Sequence, residues 1–383
     1  MWSAIGRVGS YATGVGKHVL RMSMGLAARP GWRVSFVMSS DLWVEEARRT
    51  EQSEMDALPS IQLPLPRRLL ELLWRTVHVP SIDRWLDGAD WLYCPKELYV
   101  PVRHARSAVT VHDVYRLEPE YRHLHRRQLW RWRWLLERAV NEADLVLAVS
   151  EFTKSRLVDL LAVPAEKIRV VGNGVDEGFF EIATADSARV TPYPKQRYVL
   201  SVGGVTHKKG GHALLAVADA LGQVAPDLRL LVTGPVAPEF QGRLSATPNL
   251  VSLKRGFPDA DMQRLVRGAE VALMLSEYEG FGIPALEAMA AGVPVVAARR
   301  ASLPEVVGDA GLLVDPNKAK EIADLIYDLC VDSADRTDLI ARGRDRAAGY
   351  RWSGCVDRLC AAMEEYTPGR ATGSDGHRSV ADG

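Results

Sequence analysis

The sequence has few cysteines, no long hydrophobic run and no excess of charge of either sign. Only four cysteines occur in 383 residues, and none forms a C-x-x-C pair, which excludes a disulfide scaffold and a cysteine-based zinc site. No apolar run reaches the roughly 18 residues that cross a bilayer, and the first residues lack a signal-peptide stretch. We therefore expect a cytoplasmic protein with buried, reduced thiols.

Net charge is absent because 48 lysines and arginines balance 48 acids. No overall field attracts the chain to nucleic acid or to a membrane, so any such contact has to be local. Of nine scattered histidines, His123 and His125 form a close pair, but they lie among arginines and we predict no metal site. With 47% hydrophobic residues, the chain can build about two or three globular domains.

The most informative stretch is 276–294, which reads SEYEGFGIPALEAMAAGVP. The preceding run 270–275 (EVALML) predicts a buried strand, and 283–291 has the small apolar residues of a packed helix. Glycines between them let the backbone approach a ligand, and the amides of a helix start favour an anion or hydroxyl groups. Glu279 lies at the mouth of the predicted helix and Glu287 in its second turn, so both carboxylates should face one cleft.

The pattern E-G-F-G-x-P-x-L-E-A-M-A-x-G-x-P-V-V resembles the signature of retaining GT-B glycosyltransferases of family 4, also known as glycosyl transferases group 1. The resemblance implies that Glu279 binds hydroxyls of a donor sugar and that Glu287 binds the ribose of its nucleotide. It also assigns Gly280, Phe281 and Gly282 to the donor-binding site. An ordinary βα unit with two exposed glutamates is the alternative for an isolated pair of acids, but the extended run favours the glycosyltransferase.

Motifs in the first part of the chain extend the resemblance. Gly14 and Gly16 precede a predicted helix, where the backbone amides of family members approach the donor diphosphate. A Walker A loop is excluded, because Tyr11 stands where its first glycine is needed and His18 replaces its magnesium-binding hydroxyl. His112 ends a predicted strand, where ligands bind in doubly wound sheets, and the resemblance places it beside the sugar phosphate.

Further positions complete the expected donor site. Lys208 and Lys209 lie at another strand-to-helix junction, where they can neutralise a diphosphate together with helix-start amides. They match the basic pair of the family, whereas Gly204, after Gly203, stands where other members carry an arginine. Phe257 follows a predicted strand and is expected at the rim of the base pocket.

Asp259-Ala260-Asp261 spells the D-x-D motif of metal-dependent transferases of another fold. The tripeptide follows Pro258 and precedes a helical pattern, so we predict that its acids lie at a helix start, where carboxylates are favoured. We predict neither a metal nor a cofactor, since a nucleoside diphosphate sugar is itself a substrate.

Residues 122–138 hold six arginines, three tryptophans and a single acid. Arginine interleaved with aromatic residues is typical of contacts with membrane surfaces and with nucleic acid. The first 190 residues balance 26 basic against 24 acidic groups, so no broad basic face supports a nucleic-acid partner. We expect peripheral contact with the inner face of an anionic membrane, and a solvated helix is the alternative.

Strand and helix patterns alternate in two runs, which predicts an α/β fold of GT-B type, with two doubly wound Rossmann-like domains facing a central cleft. The predicted parts are an acceptor-side domain (1–180), a linker (181–195), a nucleotide-sugar domain (196–349), a crossover helix packing on the first domain (350–366) and a disordered tail (367–383). The region 42–81 is polar and broken by prolines, and only a helix near Arg67–Thr76 is predicted there. Residues 1–5 offer only a stub of the strand expected before Gly14, so we expect an earlier in-frame start.

The resemblance implies transfer of a hexose, of mannose or glucose type, with retention to a saccharide or lipid-linked acceptor in polysaccharide or glycolipid synthesis. It assigns catalysis to His112, Glu279, Lys208 and Lys209, since charge develops on the departing diphosphate and preorganised cations stabilise it. A nucleotide-sugar 2-epimerase on the same fold and a non-catalytic saccharide-binding protein remain alternatives. An NAD-linked oxidoreductase is disfavoured, because no G-x-G-x-x-G follows a predicted strand.

Overall fold

The computed structural model describes residues 14–40, 59–121, 129–184, 196–253, 257–331 and 333–366. The strands are β1 (Phe36–Ser39), β2 (Ser60–Leu63), β3 (Trp91–Cys94), β4 (Arg106–Val111), β5 (Leu145–Ala148), β6 (Ile168–Val170), β7 (Arg197–Val202), β8 (Leu228–Thr233), β9 (Leu250–Leu253), β10 (Val271–Met274), β11 (Val295–Ala298) and β12 (Leu312–Val314). The helices are α1 (Gly14–Ala27), α2 (Arg67–Thr76), α3 (Leu129–Glu142), α4 (Glu151–Leu161), α5 (Glu177–Thr184), α6 (Gly211–Val224), α7 (Pro238–Ser245), α8 (Asp259–Arg267), α9 (Ile283–Ala290), α10 (Leu303–Val307), α11 (Ala319–Val331), α12 (Ser333–Ala348) and α13 (Trp352–Glu365).

All strand pairs in the described ranges are parallel. The N-terminal half contains a two-stranded sheet, β1-β2, and a four-stranded sheet, β3-β4-β5-β6. The C-terminal half contains a six-stranded sheet in the order β12-β11-β10-β7-β8-β9. In that sheet the strand order reverses between β10 and β7, and ligands bind outside the carboxyl ends of strands at such a reversal.

The six-stranded sheet is buried on both faces, which explains why its strands β10 and β11 are continuous apolar runs. Val199 of β7 and Val271 of β10 pack into the cluster that covers one face, with residues of α6 and α11. Their neighbours Leu200 and Ala272 pack into the cluster on the other face, with residues of α8 and α9. This alternation follows from the two-residue period of side chains along a strand.

The last helix, α13, returns to the N-terminal half. Its buried residues Cys355 and Leu359 join a cluster with Met22 of α1 and Leu147 of β5. The approach of α13 to α1 is close, because a Cβ added to Gly25 would lie 2.3 Å from Val356 Cγ2.

Two parts of the structure differ from the sequence prediction. Strand β2 lies in the region 42–81, where no strand was expected, and it is largely exposed except at Leu63. Helix α5 covers the predicted boundary at residue 180, because Phe179 is fully buried in the cluster that also contains Leu265 of α8. Of the predicted linker, 185–195 lies outside the described residues, as do 1–5 and the predicted tail 367–383.

Across the described ranges, no helix combines the length and the apolar character that a bilayer span requires.

Candidate active site

The loops that follow the parallel strands of the two halves meet at Gly280. A Cβ added there would lie 1.8 Å from the carbonyl oxygen of His112, so only glycine permits this approach. The carbonyl oxygen of Gly280 accepts hydrogen bonds from Ser150 Oγ (2.6 Å) and Thr153 Oγ1 (3.1 Å). The carboxyl ends of β4 and β5 therefore face the loop after β10, and a cleft lined by strand ends results.

Glu279 is held in this cleft by fixed partners. Its Oε1 accepts from Lys209 Nζ at 2.6 Å and from Ser276 Oγ at 2.7 Å, and the residue is only 7% exposed. The loop itself is fixed by Ser302, whose Oγ donates to the carbonyl oxygens of Glu279 (2.9 Å) and Phe281 (2.8 Å). Such packing presets the carboxylate position, which is what a polar site acting on developing charge requires.

Glu287 projects from α9 and pairs with Lys17 of α1. Lys17 Nζ lies 2.6 Å from Glu287 Oε1 and 3.7 Å from Asp176 Oδ2. Burial raises the pKa of the Glu287 carboxyl, although the ammonium of Lys17 favours the ionised form. The pKa of Lys17 is also raised, because the carboxylates of Glu287, Asp176 and Asp259 outweigh the cost of burying its charge.

Lys208 reaches the N-terminal half, although its neighbour Lys209 does not. Its Nζ lies 2.6 Å from Asp113 Oδ2 and 5.3 Å from the centre of the Tyr115 ring. Burial alone would raise the pKa of Asp113, but Lys208 and a backbone amide shift it below its ordinary value. The two adjacent lysines thus bind different acids, one in each half.

The glycine pair after β7 leaves no room for an arginine. Gly203 and Gly204 have φ values of +126° and +91°, which L residues rarely adopt. A Cβ on Gly204 would lie 2.1 Å from the carbonyl oxygen of Pro235. The backbone conformation therefore requires glycine at position 204, where other family members carry an arginine.

His112 lies at the end of β4 with its ring fixed. Its Nε2 donates to the carbonyl oxygen of Pro95 at 2.9 Å, and its backbone N–H donates to Glu97 Oε1 at 2.8 Å. The ring meets His18 edge to face at a centroid distance of 4.8 Å. This arrangement suits a positioning role at the cleft better than proton transfer by Nε2.

His18 is a buried partner that the sequence analysis treated only as a departure from Walker A. Its Nδ1 lies 2.7 Å from Asn173 Oδ1, and its Nε2 lies 3.0 Å from the hydroxyl of Tyr93, which contacts Thr110 Oγ1 at 2.9 Å. Burial lowers the pKa of His18 well below its ordinary value, so the ring is neutral. The network fixes the ring against which His112 packs.

The starts of two helices converge at the cleft. Gly14 begins α1, and a Cβ on it would lie 3.2 Å from Cδ1 of Ile283, the first residue of α9. Gly16 is buried in the first turn of α1, and Gly282 precedes α9 with a φ of +107°. Helix N-termini carry partial positive charge, so two of them at one place favour an anion.

Other predicted positions are distributed as follows. Phe257 is half-buried against the apolar cluster of α8 and α9, while 254–256 lies outside the described residues. Asp259 and Asp261 occupy the first turn of α8, which confirms their predicted place at a helix start. In the described part of the chain, no group of three or more histidines, cysteines and acids is arranged to hold a metal ion.

Sequence reasoning missed Asp113, Asp176 and the pairing role of Lys17. Lys17 follows Gly16 and Asp113 follows His112, so the sequence indicated these two places without indicating which charges meet there.

Sequence reasoning also missed a group of aromatic rings between the halves. The centre of the Tyr115 ring lies 4.6 Å from that of Tyr121 and 5.5 Å from that of Tyr278. The hydroxyl of Tyr278 also donates to Oε1 of Glu118 in the N-terminal half at 3.1 Å.

Comparison with known proteins decides the family. Residues 12–179 match the model of Glycosyltransferase Family 4, and residues 183–346 match the model of Glycosyl transferases group 1. The chain is 30% identical over 310 residues to O-antigen chain mannosyltransferase B of Escherichia coli, an alignment that covers 77% of this chain and 80% of that protein. The chain belongs to glycosyltransferase family 4.

Other similar proteins agree with this assignment. A D-inositol 3-phosphate glycosyltransferase of Segniliparus rotundus is 30% identical over 322 residues, covering 78% of this chain and 68% of that protein. The solved structure of Anabaena HepE in complex with UDP-glucose aligns with a TM-score of 0.68 at 18% identity, covering 95% of this chain and 98% of that one. This family 4 protein is therefore a glycosyltransferase of GT-B fold.

Proposed function

We propose that this glycosyltransferase transfers a hexose of mannose or glucose type from a nucleoside diphosphate sugar, with retention, to a saccharide or lipid-linked saccharide acceptor. The observation that carries the proposal is the Glu279–Lys209 contact of 2.6 Å beside two converging helix starts. In a donor of this class the sugar is bonded directly to a phosphate. A hydroxyl-binding carboxylate and a phosphate-binding cation must therefore lie next to each other, as these two do.

The proposal assigns the remaining roles as follows. Lys208, Lys209 and the amides at the starts of α1 and α9 bind the diphosphate, with Gly14, Gly16, Gly203 and Gly204 providing close backbone approach. Gly280, Phe281 and Gly282 shape the sugar side, Glu287 accepts from the ribose, and Phe257 borders the base. Similarity supports the hexose, since the Escherichia coli relative is named a mannosyltransferase and HepE was solved with UDP-glucose.

Retention places the acceptor on the face from which the diphosphate leaves. The leaving phosphate oxygen can take the proton of the acceptor hydroxyl, and no side chain has to act as a base. His112 fits this scheme, because its Nε2 donates to the carbonyl oxygen of Pro95 and its backbone carbonyl lies against Gly280. Lys208, Lys209 and the helix starts stabilise the charge that develops on the leaving group.

The test is a thermal-shift screen of nucleoside diphosphate hexoses, followed by NMR of the reaction with saccharide acceptors. A donor at about 100 times its Kd adds about 2.7 kcal/mol to the free energy of unfolding. We expect an acceptor-dependent product whose anomeric configuration equals that of the donor. A changed donor sugar without acceptor would indicate the epimerase, an inverted product would refute retention, and binding without turnover would indicate a saccharide-binding protein.

We also propose that the enzyme acts at the inner face of an anionic membrane, docked through 122–138. Residues 122–128 lie outside the described ranges, but α3 exposes Trp130 (72%) and Trp134 (39%) one turn apart. Tryptophan anchors at a membrane interface and arginine is attracted to anionic headgroups. The exposed Leu72 (55%) of α2 adds apolar surface to the same half.

Cosedimentation with anionic and neutral vesicles tests the docking. We expect salt-sensitive binding to anionic vesicles, lost when Trp130 and Trp134 are both replaced by serine. Tyr327→Ser is the control, since this tyrosine is 42% exposed on the C-terminal half. If the wild type binds both vesicle types equally, or if the variant with both tryptophans replaced binds anionic vesicles as well as the wild type does, α3 is a solvated helix. We propose no nucleic-acid partner.

A further inference from the structure

The buried ion pair between Lys17 and Glu287 joins the two halves at the proposed nucleotide site. Lys17 and Glu287 side chains are only 14% and 7% exposed, and they lie 270 residues apart in the sequence. A lysine in the first turn of a helix is opposed by the helix dipole, and burial of its charge adds a further cost. A cation at this position of α1 therefore needs an anionic partner that offsets both the helix dipole and the cost of burial.

Asp176 does not explain the position of Lys17, because other groups already satisfy it. Its Oδ1 accepts from Arg21 Nε at 2.7 Å and from Trp352 Nε1 at 3.0 Å, whereas Lys17 stays 3.7 Å from Oδ2. The short contact of Lys17 is made with Glu287 instead. Among the described residues, Lys17 provides the side-chain hydrogen bond to the Glu287 carboxylate, and it does so through Oε1.

We propose that Lys17 is a positioning residue that orients Glu287 for the ribose of the donor nucleotide. By holding Oε1, Lys17 fixes the plane of the carboxylate and leaves Oε2 to accept from ribose hydroxyls. This inference rests on the proposed role of Glu287. It adds that the N-terminal half takes part in nucleotide recognition, because Lys17 lies on α1 and Glu287 lies on α9.

If Lys17 orients Glu287, its replacement should remove the part of the nucleotide affinity that depends on the ribose hydroxyls. A carboxylate in a fixed plane forms strong hydrogen bonds with hydroxyl groups, and removal of those hydroxyls should weaken binding about 10- to 100-fold. Without Lys17 the carboxylate can rotate, and its repulsion by Asp176 and Asp259 is no longer balanced. The variant should then bind the nucleotide more weakly and discriminate less between the ribose and its deoxy analogue.

Calorimetric titration of UDP and GDP, each compared with its 2′,3′-dideoxy analogue, tests the proposal. For the nucleotide that binds, the ratio of the two Kd values should be about 10- to 100-fold in the wild type. It should fall to within about threefold in Lys17→Met, and Lys17→Arg should restore most of it. Arg29→Met is the control, because it removes an ion pair with Asp357 of α13 that involves neither Asp176 nor Glu287, and it should leave the ratio unchanged.

A Glu287→Gln arm separates this inference from the function on which it rests. If Glu287→Gln keeps the wild-type ratio, Glu287 does not bind the ribose and the proposed donor site is wrong. If Glu287→Gln loses the ratio while Lys17→Met keeps it, the ribose assignment stands and the positioning role of Lys17 is refuted. Should Lys17→Met fail to fold, Lys17→Gln, which keeps a polar side chain, provides the same comparison.

Discussion

Replacement of Glu279 by glutamine tests the proposed donor site most directly. The exchange keeps the volume of the side chain and keeps an oxygen that can accept from Ser276 Oγ, now 2.7 Å from Oε1. It removes the negative charge that faces Lys209 Nζ at 2.6 Å. The loop is fixed separately through the backbone contacts of Ser302, so the fold should survive.

The expected magnitude follows from the kind of contact that is lost. Glu279 is 7% exposed, and solvent cannot replace a hydrogen bond to a sugar hydroxyl there. A single preorganised polar contact that strengthens in the transition state is worth about 2 to 4 kcal/mol, or about 30- to 1000-fold in kcat. Binding of the free nucleoside diphosphate should change much less, because the sugar is absent from it.

The assay is kcat with the donor and acceptor identified by the screen, together with melting temperature. Glu277→Gln is the matched control, since it makes the same chemical change two residues away in a carboxylate that pairs with Arg300. We expect the control to retain kcat within about threefold. A folded Glu279→Gln variant with unchanged kcat would remove Glu279 from the reaction.

Gly280→Ala should abolish transfer, because the added methyl would lie 1.8 Å from the carbonyl oxygen of His112 and would hold the halves apart. Small-angle scattering should show a larger radius of gyration, and an unchanged radius with full activity would contradict the close approach. Lys208→Met and Lys209→Met should each weaken binding of free nucleoside diphosphate by about tenfold or more. Unaltered affinity in the double variant would refute the phosphate assignment. Transfer should survive EDTA, since lysines and helix starts supply the positive charge. If EDTA abolishes transfer and manganese restores it, the D-x-D tripeptide binds a metal after all. The free energy of unfolding should fall as the pH drops below about 6.5, by up to about 1.4 kcal/mol per pH unit. The reason is that His18 becomes protonated in the unfolded chain but stays neutral while it is buried in the folded protein. The pKa of His18 is lower in the folded state than in the unfolded state. The stabilisation that neutral His18 provides is therefore complete above the unfolded-state pKa and is lost as the pH falls towards the folded-state pKa. Denaturant titrations should show this slope in the wild type and a smaller one in His18→Gln.

Local structure was predictable where its cause is local. The helix Arg67–Thr76 was predicted with the bounds that it has, because apolar residues recur along one face. The buried strand predicted over 270–275 is β10 (Val271–Met274), because its apolar residues form a continuous run. Strand β2 was missed, since its four residues are mostly exposed and lie in a polar, proline-broken region. Helix α5 was missed because burial of Phe179 depends on α8, which follows much later in the chain.

The sequence by itself determined the family, because the residues that carry the resemblance lie in contiguous segments. Glu279, the glycines after it and Glu287 occupy one strand-turn-helix unit, so a short pattern is enough to place both acids at one edge of a sheet. The GT-B fold followed from the alternation of strands and helices, which is also a property of neighbouring residues.

Only the tertiary structure decided which charges meet. Lys17 contacts Glu287 across 270 residues, and Lys208 contacts Asp113 across 95, whereas its neighbour Lys209 pairs with Glu279 of its own half. Nothing in the local pattern distinguishes these partners, since an ion pair depends on how the two halves pack and on which groups remain buried between them. The steric need for Gly280 likewise comes from the carbonyl of His112, which reaches it only when the strand ends of both halves face one another.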